Sequence, residues 1–238
     1  MKYRKPRGAT LSLVMAAHPL SAVAMTAALA GAAALTGRST LEVGLVALTV
    51  LLGQVTVGWL DDVVDRRRDQ QTGRTDKPVA LGWVDPGTVT FAIAVVVLAL
   101  VPLSIANGTY AGLAHLGAVV SWWLYELLLK KTLLSWLPWA ISFGLLPAFL
   151  SYGGLGGGMH GGPPTWAMTV LAALLGIGVH FLRTLPHLVQ DHETGVRHLP
   201  LRIALKVGAA KLLWISVAWT ALVSAGIVVA GLTVGIVQ

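Results

Sequence analysis

Apolar residues fill this chain in blocks separated by short polar connections. Runs at roughly 11–35, 41–60, 86–106, 110–129, 136–152, 166–186 and 210–232 each reach the length of about 17 or more residues that a transmembrane helix needs. The pattern predicts an all-α fold: a single domain over 1–238, built as a polytopic membrane bundle of about seven transmembrane helices around a cytoplasm-facing polar site. The first run follows Lys2, Arg4, Lys5 and Arg7, as in a secretory signal. Its length of about 25 residues exceeds the apolar core of such signals, so a retained first helix is expected. Ala16, Ala17, Ala24, Ala27, Ala28 and Gly31 suit close helix packing there. The glycine-rich stretch 153–164 is flexible by composition and is expected to be a plain connection rather than a lid.

Composition agrees with the pattern. With 55% hydrophobic and 11% charged residues, the chain cannot supply the charged exterior of a soluble protein. It has no cysteine, which excludes disulfides and thiolate metal sites. The net charge of +7 is explained by topology, and no nucleic-acid partner is expected. With the N-terminus in the cytoplasm, loops 61–85, 130–135 and 187–209 also lie inside. Of the 17 Lys and Arg residues, all but Arg38 then fall on or near that side, as the positive-inside rule requires. Nine of ten acidic residues, all but Glu42, share it. Acidic residues carry little topological weight, so their concentration points to chemistry on that face.

The densest charge is Asp61-Asp62-Val-Val-Asp65-Arg66-Arg67-Arg68-Asp69, seven ionic side chains in nine residues directly after an apolar run. Charge at a membrane boundary marks a functional site by default. At about 100° per residue, Asp61, Asp65, Asp69 and Asp62 fall at roughly 0°, 40°, 80° and 100°. Four carboxylates share one face, with Arg67 opposite and Arg66 and Arg68 at the flanks. Such a cluster needs a cation, and carboxylates with phosphate oxygens are the ligands Mg²⁺ accepts. The stripe therefore predicts a magnesium-diphosphate site at a membrane surface.

Two features extend it, and a third segment mirrors it. Gly73-Arg74-Thr75-Asp76-Lys77-Pro78 is a loop by its Gly and Pro, in which Arg74 and Lys77 can meet phosphate oxygens. Tyr125-Glu126 and Lys130-Lys131 close the fourth run, where Lys130 can act as a point charge on a diphosphate. His180, Arg183, His187 and Asp191 lie within about 80° on an ideal helix, although Pro186 is placed to kink it. His18, His115 and His160 are expected to be packing or loop residues, and His192 and Glu193 to face water. No glycine-rich phosphate loop, nucleophile elbow or zinc signature is present.

Taken together, these segments resemble the UbiA superfamily of intramembrane prenyltransferases. That family's first Asp-rich motif, N-D-x-x-D-x-x-x-D, ends its second helix and falls here on Asp61, Asp62, Asp65 and Asp69. The basic loop matches Gly73 to Pro78, and the Y-N-x-x-x-K element matches Tyr125, Glu126 and Lys130. The second motif, D-x-x-x-D, falls on His187 and Asp191. Three positions depart: Asp61 and Glu126 stand for Asn, and His187 stands for Asp, where an imidazole is a poor Mg²⁺ ligand. Seven runs against the family's usual nine helices suggest a shortened member, a degenerate one or a truncated chain.

The resemblance implies Mg²⁺-dependent transfer of a prenyl group from an allylic (isoprenyl) diphosphate to an aromatic or quinone-precursor acceptor, with release of diphosphate. On that basis Asp61, Asp62, Asp65, Asp69 and Asp191 are metal ligands. Arg68, Arg74, Lys77, Lys130, Arg183 and His187 bind substrate, while Asp62, Asp65, Lys130 and Tyr125 carry catalysis. Trp59, Trp122, Trp123 and Tyr125 offer rings to the allylic cation. The isoprenoid tail lies among membrane lipid, in a bacterial cytoplasmic membrane. A terpene cyclase of the same family and a non-catalytic binder or transporter of isoprenyl diphosphate are the alternatives. A lipid-head-group phosphotransferase is disfavoured, because its D-x-x-D-G-x-x-A-R pattern needs Gly where Arg66 stands.

Overall fold

The computed structural model describes residues 8–155 and 161–235. Every regular element among them is helical, arranged in two compact units, Met1–Asn107 and Gly108–Gln238. The basic residues before Gly8, and residues 156–160 with His160, lie outside the described residues. All seven expected apolar runs are helical. Five of the resulting helices are long and apolar enough to cross a membrane: Thr40–Val64, Pro86–Ala106, Thr109–Leu129, Trp166–Glu193 and Ala209–Thr233. The chain is an integral membrane protein. The fifth run forms a shorter apolar helix, Trp136–Ser151.

The first run is not one straight helix. It is a pair, α1 (Ala9–Ala16) and α2 (Pro19–Leu35), bent by 59°. Pro19 lacks an amide hydrogen and disfavours helical geometry in the residue before it. His18 takes neither a helical backbone nor the extended one that a following proline favours, but a left-handed conformation, φ 52° and ψ 60°. The second run also differs, since α3 (Thr40–Val64) continues four residues past Leu60 and takes Asp61 and Asp62 into its last turn. Its other end accounts for the one acidic residue expected outside. Ser39 and Glu42 form a capping box, the Ser39 amide donating to the Glu42 carboxylate at 2.9 Å and the Glu42 amide to Ser39 Oγ at 3.4 Å, which satisfies two otherwise orphaned helix donors.

In the first unit α3 packs on α1–α2 and on α5 (Pro86–Ala106). A Cβ on Gly58 would lie 2.5 Å from the Ala17 carbonyl oxygen, so glycine sets how closely the backbones approach. One residue on, Trp59 Nε1 donates to Leu13 O at 2.8 Å, and its ring joins Ala16, Ala17, Val79, Val84 and Val89 in a buried cluster. Trp59 is a staple between α1 and α3. Farther along, Asn107 Nδ2 donates to Thr49 Oγ1 at 2.9 Å and to Leu103 O at 2.8 Å, so a polar side chain in an apolar setting is satisfied internally.

The second unit comprises α6 (Thr109–Leu124), a π-helical turn (Tyr125–Leu129), α7 (Trp136–Ser151), α8 (Trp166–Thr184), a 3₁₀ turn (Leu185–His187), α9 (Leu188–Glu193), α10 (Leu199–Val207) and α11 (Ala209–Ala230). Small and hydroxylated residues join its helices, as is usual in lipid. Ser121 Oγ donates to Pro138 O and Ser142 Oγ to Ala118 O, linking α6 to α7. A Cβ on Gly176 would lie 2.4 Å from Trp139 O, fixing the α7–α8 approach. Trp219 Nε1 donates to Leu174 O at 2.9 Å and ties α11 to α8.

Gly58→Ala should cost about 1–3 kcal/mol by overpacking, visible as a melting temperature several degrees lower in detergent. Gly31→Ala, whose Cβ would meet nothing within 4 Å, should leave it unchanged or slightly raised. Equal effects of the two would contradict close packing at Gly58.

Candidate functional site

The carboxylate stripe forms because the helix barely interrupts at Asp65. Asp65 N–H donates to Asp61 O and Asp69 N–H to Asp65 O, both at 2.9 Å, so α4 (Arg66–Gln71) carries on from α3. Asp62, Asp65 and Asp69 are 0%, 3% and 1% exposed, while Arg66 and Arg67 face outward. The structure thus places the carboxylates inside and those two arginines outside, as helical spacing requires.

Each carboxylate is engaged differently. Asp61 takes Lys77 Nζ at 2.5 Å, and Asp62 accepts the Val79 amide at 3.0 Å with Lys77 Nζ 3.6 Å away. Asp65 pairs with Arg68 at 2.8 Å. Burial pushes the Asp69 carboxyl up to about 6; the Asp65 and Asp61 charges add to the rise, while Lys77 and Arg68 oppose it. Burial also works against the charge on Lys77, but Asp61, Asp62 and Asp69 overcome it and the ammonium is held above its ordinary pKa. Arg74 is spent locally: its guanidinium forms a two-point pair with Asp76, both contacts 2.8 Å, which holds the Asp76 carboxyl down to about 2.

His18 corrects the sequence expectation. Instead of packing, its Nε2 lies 3.0 Å from Lys77 Nζ and 3.3 Å from Asp61 Oδ2. The α1–α2 bend brings it to the charged end of α3. The signal was the following Pro19, which breaks the first span.

In the second unit the π-helical turn closes with Lys130 N–H donating to Tyr125 O at 2.8 Å. Such bulges often occur at functional sites. This one leaves Leu127 and Leu128 exposed and turns Glu126 inward, where it pairs with buried Lys130 at 2.6 Å. Tyr125 packs edge-on against Trp139 and His180, at 5.7 and 5.6 Å between ring centres. The expected stripe from His180 to Asp191 is interrupted by the 3₁₀ turn at Pro186. His180 is buried against Ser135 Oγ at 3.0 Å, and Arg183 is exposed with its guanidinium 5.8 Å from the Trp139 ring centre. His187 is half-buried at the start of α9, and Asp191 is buried.

The donor set suits a hard divalent cation in part. Asp62 Oδ1 and Asp69 Oδ2 are buried and accept no hydrogen bond; Lys77 Nζ stands 3.6 Å from the first, and a buried anionic oxygen is costly unless a cation meets it. Among the described residues, no group of three His, Asp or Glu side chains is placed to hold an ion. The reason is that Asp61, Asp62 and Asp65 are turned to Lys77, the Val79 amide and Arg68. Mg²⁺ needs no such cage, since it is usually held by one or two carboxylates with water and phosphate oxygens.

A short motif recurs in the sequence. Asp69-Gln-Gln-Thr72-Gly73 and Asp191-His-Glu-Thr194-Gly195 share D-x-x-T-G, each with a proline five residues after the glycine, Pro78 and Pro200. Their geometry coincides. Gly73 and Gly195 are left-handed, at φ 66° and 75°, and Arg74 N–H donates to Asp69 O as Val196 N–H does to Asp191 O, at 3.0 and 2.9 Å. Thr72 Oγ1 and Thr194 Oγ1 each donate to the carbonyl four residues back at 2.8 Å. Both are Schellman caps, where glycine relieves the left-handed strain, and each fixes a buried Asp in the last turn of a short helix. The repeat also places His198, 3.0 Å from Asp191, which the sequence reading overlooked.

A comparison with curated proteins finds no match. Among solved structures, the chain is similar to a UbiA homolog from Archaeoglobus fulgidus. The form bound to GPP and Mg²⁺ gives a TM-score of 0.71 at 14% identity, covering 91% of this chain and 77% of that one. The form bound to DMAPP and Mg²⁺ gives 0.72 at 15%, with the same coverage. A further structure of that homolog gives 0.71 at 16%, covering 94% and 80%. Identities this low establish a common fold and no more. The UbiA prenyltransferase family itself matches residues 22–237, through the Asp stripe, the π-helical turn and both D-x-x-T-G caps, and the chain belongs to that family.

Proposed function

We propose that this protein transfers a prenyl group from an allylic diphosphate to an aromatic or quinone-precursor acceptor, with Mg²⁺ as cofactor and diphosphate as leaving group. The observation that carries this reading is the inward stripe of Asp62, Asp65 and Asp69 with Lys77 against it. The Archaeoglobus homolog supports it, being of the same fold and described with GPP or DMAPP and Mg²⁺.

Asp62 and Asp69, through their hydrogen-bond-free oxygens, with Asp61 and Asp65 would hold the metal; Asp191 is the matching ligand in the second unit. When bound, Mg²⁺ acts as a Lewis acid on the departing diphosphate. Lys77 and Arg68 already stand among the carboxylates, and they neutralise charge as it develops on the leaving group. Lys130, buried beside Glu126, is the corresponding cation in the second unit, with Arg183 and His187 as outer contacts there; Arg74 is an outer contact in the first unit. Tyr125 and Trp139 offer electron-rich faces to the allylic cation. The isoprenoid tail and lipid share the apolar phase, and the N-terminus and the charged segments lie on the cytoplasmic side of a bacterial membrane.

Asp62→Asn keeps an oxygen for the Val79 amide while removing the charge. It should lower Mg²⁺-dependent diphosphate release by on the order of 10²-fold or more with little change in melting temperature; unchanged turnover would remove Asp62 from the site. In the wild type, chelation of Mg²⁺ should stop release and re-addition restore it. Release should also require an aromatic acceptor. Acceptor-independent release of a terpene would indicate a cyclase, and Mg²⁺-dependent binding without release a non-catalytic binder. For topology, Thr75→Cys should resist a membrane-impermeant thiol reagent applied from outside, and Gly154→Cys should react; the reverse would invert the orientation.

A further inference from the structure

Asp191 and His198 form a closed arc at the end of the second D-x-x-T-G segment. His198 Nε2 lies 3.0 Å from Asp191 Oδ2, and both side chains are buried, at 4% and 7% exposure. The other ring nitrogen is already committed. His198 is the N-cap of α10, and its Nδ1 receives the Leu201 amide hydrogen at 3.1 Å. A backbone amide can only donate, so Nδ1 carries no proton and the ring proton sits on Nε2. Nε2–H therefore donates to Asp191 Oδ2. The backbone closes the same arc, through Val196 N–H donating to Asp191 O at 2.9 Å.

The charge of the partner separates this contact from the chain's other buried carboxylate pairs. Lys77 and Arg68 meet Asp61 and Asp65 as cations, and Lys130 meets Glu126 likewise. An imidazole fixed in one neutral tautomer by a helix cap instead orients a carboxylate without neutralising it. Hydrogen-bonded groups of this kind position metal ligands and tune their affinity.

We propose that His198 is a positioning residue: it holds the Asp191 carboxylate in the orientation that receives Mg²⁺ with the diphosphate, and it couples that carboxylate to the start of α10. This rests on the function proposed above. His187 stands where the family has an acidic residue, so Asp191 is the acidic member of its motif and its orientation counts for more.

Two substitutions separate capping from positioning. His198→Asn retains an acceptor suited to the N-cap but is too short to reach Asp191. His198→Gln can place an amide N–H toward Asp191 at the expense of the cap. Mg²⁺-dependent binding of geranyl diphosphate, measured by calorimetry in detergent, should weaken about 10–100-fold in His198→Asn while its melting temperature stays near wild type. His198→Gln should bind nearer to wild type despite a lower melting temperature. Wild-type affinity in His198→Asn, or affinity that tracks melting temperature across both variants, would overturn the inference and leave His198 as a cap alone. Asp191→Asn and Asp62→Asn locate any failure. Binding lost in Asp62→Asn but intact in Asp191→Asn and His198→Asn would refute this inference only. No Mg²⁺-dependent binding by the wild type would refute the proposed function with it.

Discussion

Mutual repulsion of carboxylates packed within three helical turns is the constraint around which the first unit is organised. Asp62, Asp65 and Asp69 are buried almost completely, and at Asp69 burial and the neighbouring Asp65 and Asp61 charges oppose ionisation. The fold answers with two cations, Lys77 and Arg68, and with the His18 ring beside Lys77. Lys77 arrives on a loop held in place by the Gly73 cap and the Val79 amide, Arg68 folds back one turn, and His18 approaches across the α1–α2 bend. Removing Lys77 or Arg68 leaves anionic charge uncompensated, a strongly destabilising condition. Burial nevertheless keeps the Asp69 carboxyl raised, to about 6.

The second unit uses the same local device with different chemistry. An Asp followed by Thr-Gly closes a short helix in both, and the threonine hydroxyl and the glycine conformation coincide closely. Beyond the cap the two diverge. The first continues to Lys77, a cation on the stripe; the second reaches His198, a neutral donor on Asp191. Glu126 in place of the family's Asn has a similar logic, since it provides a counter-charge for a lysine buried at the π-helical turn. The departures at Asp61 and Glu126 thus add carboxylates that each pair with a lysine.

Neither arrangement would hold without close helix contacts away from the charges. Gly58 lets α3 reach the backbone at Ala17, directly before His18, and Trp59 fastens the same junction. Gly176 plays the corresponding part between α7 and α8, beside the Trp139 ring that stacks near Tyr125 and His180. In lipid the hydrophobic effect does not draw helices together, so small residues and interhelical hydrogen bonds set these distances. The positions of the polar groups follow from them.

The sequence by itself determined the helices, the membrane character and the face on which the carboxylates lie, because these depend on periodicities of one helix and on the thickness of a bilayer. The family was legible in the order and spacing of Asp61 to Asp69, the Tyr125–Lys130 element and Asp191. The D-x-x-T-G repeat was equally available, since the cap it forms is a local interaction. Only the tertiary structure decided that His18 joins Lys77 and Asp61, that Arg74 is held by Asp76, that Trp59 is a staple, and that His198 grips Asp191. These depend on where the backbone turns at Pro19, Gly73, Pro186 and Gly195, and a change of direction there brings together side chains whose spacing in the chain gives no sign of it.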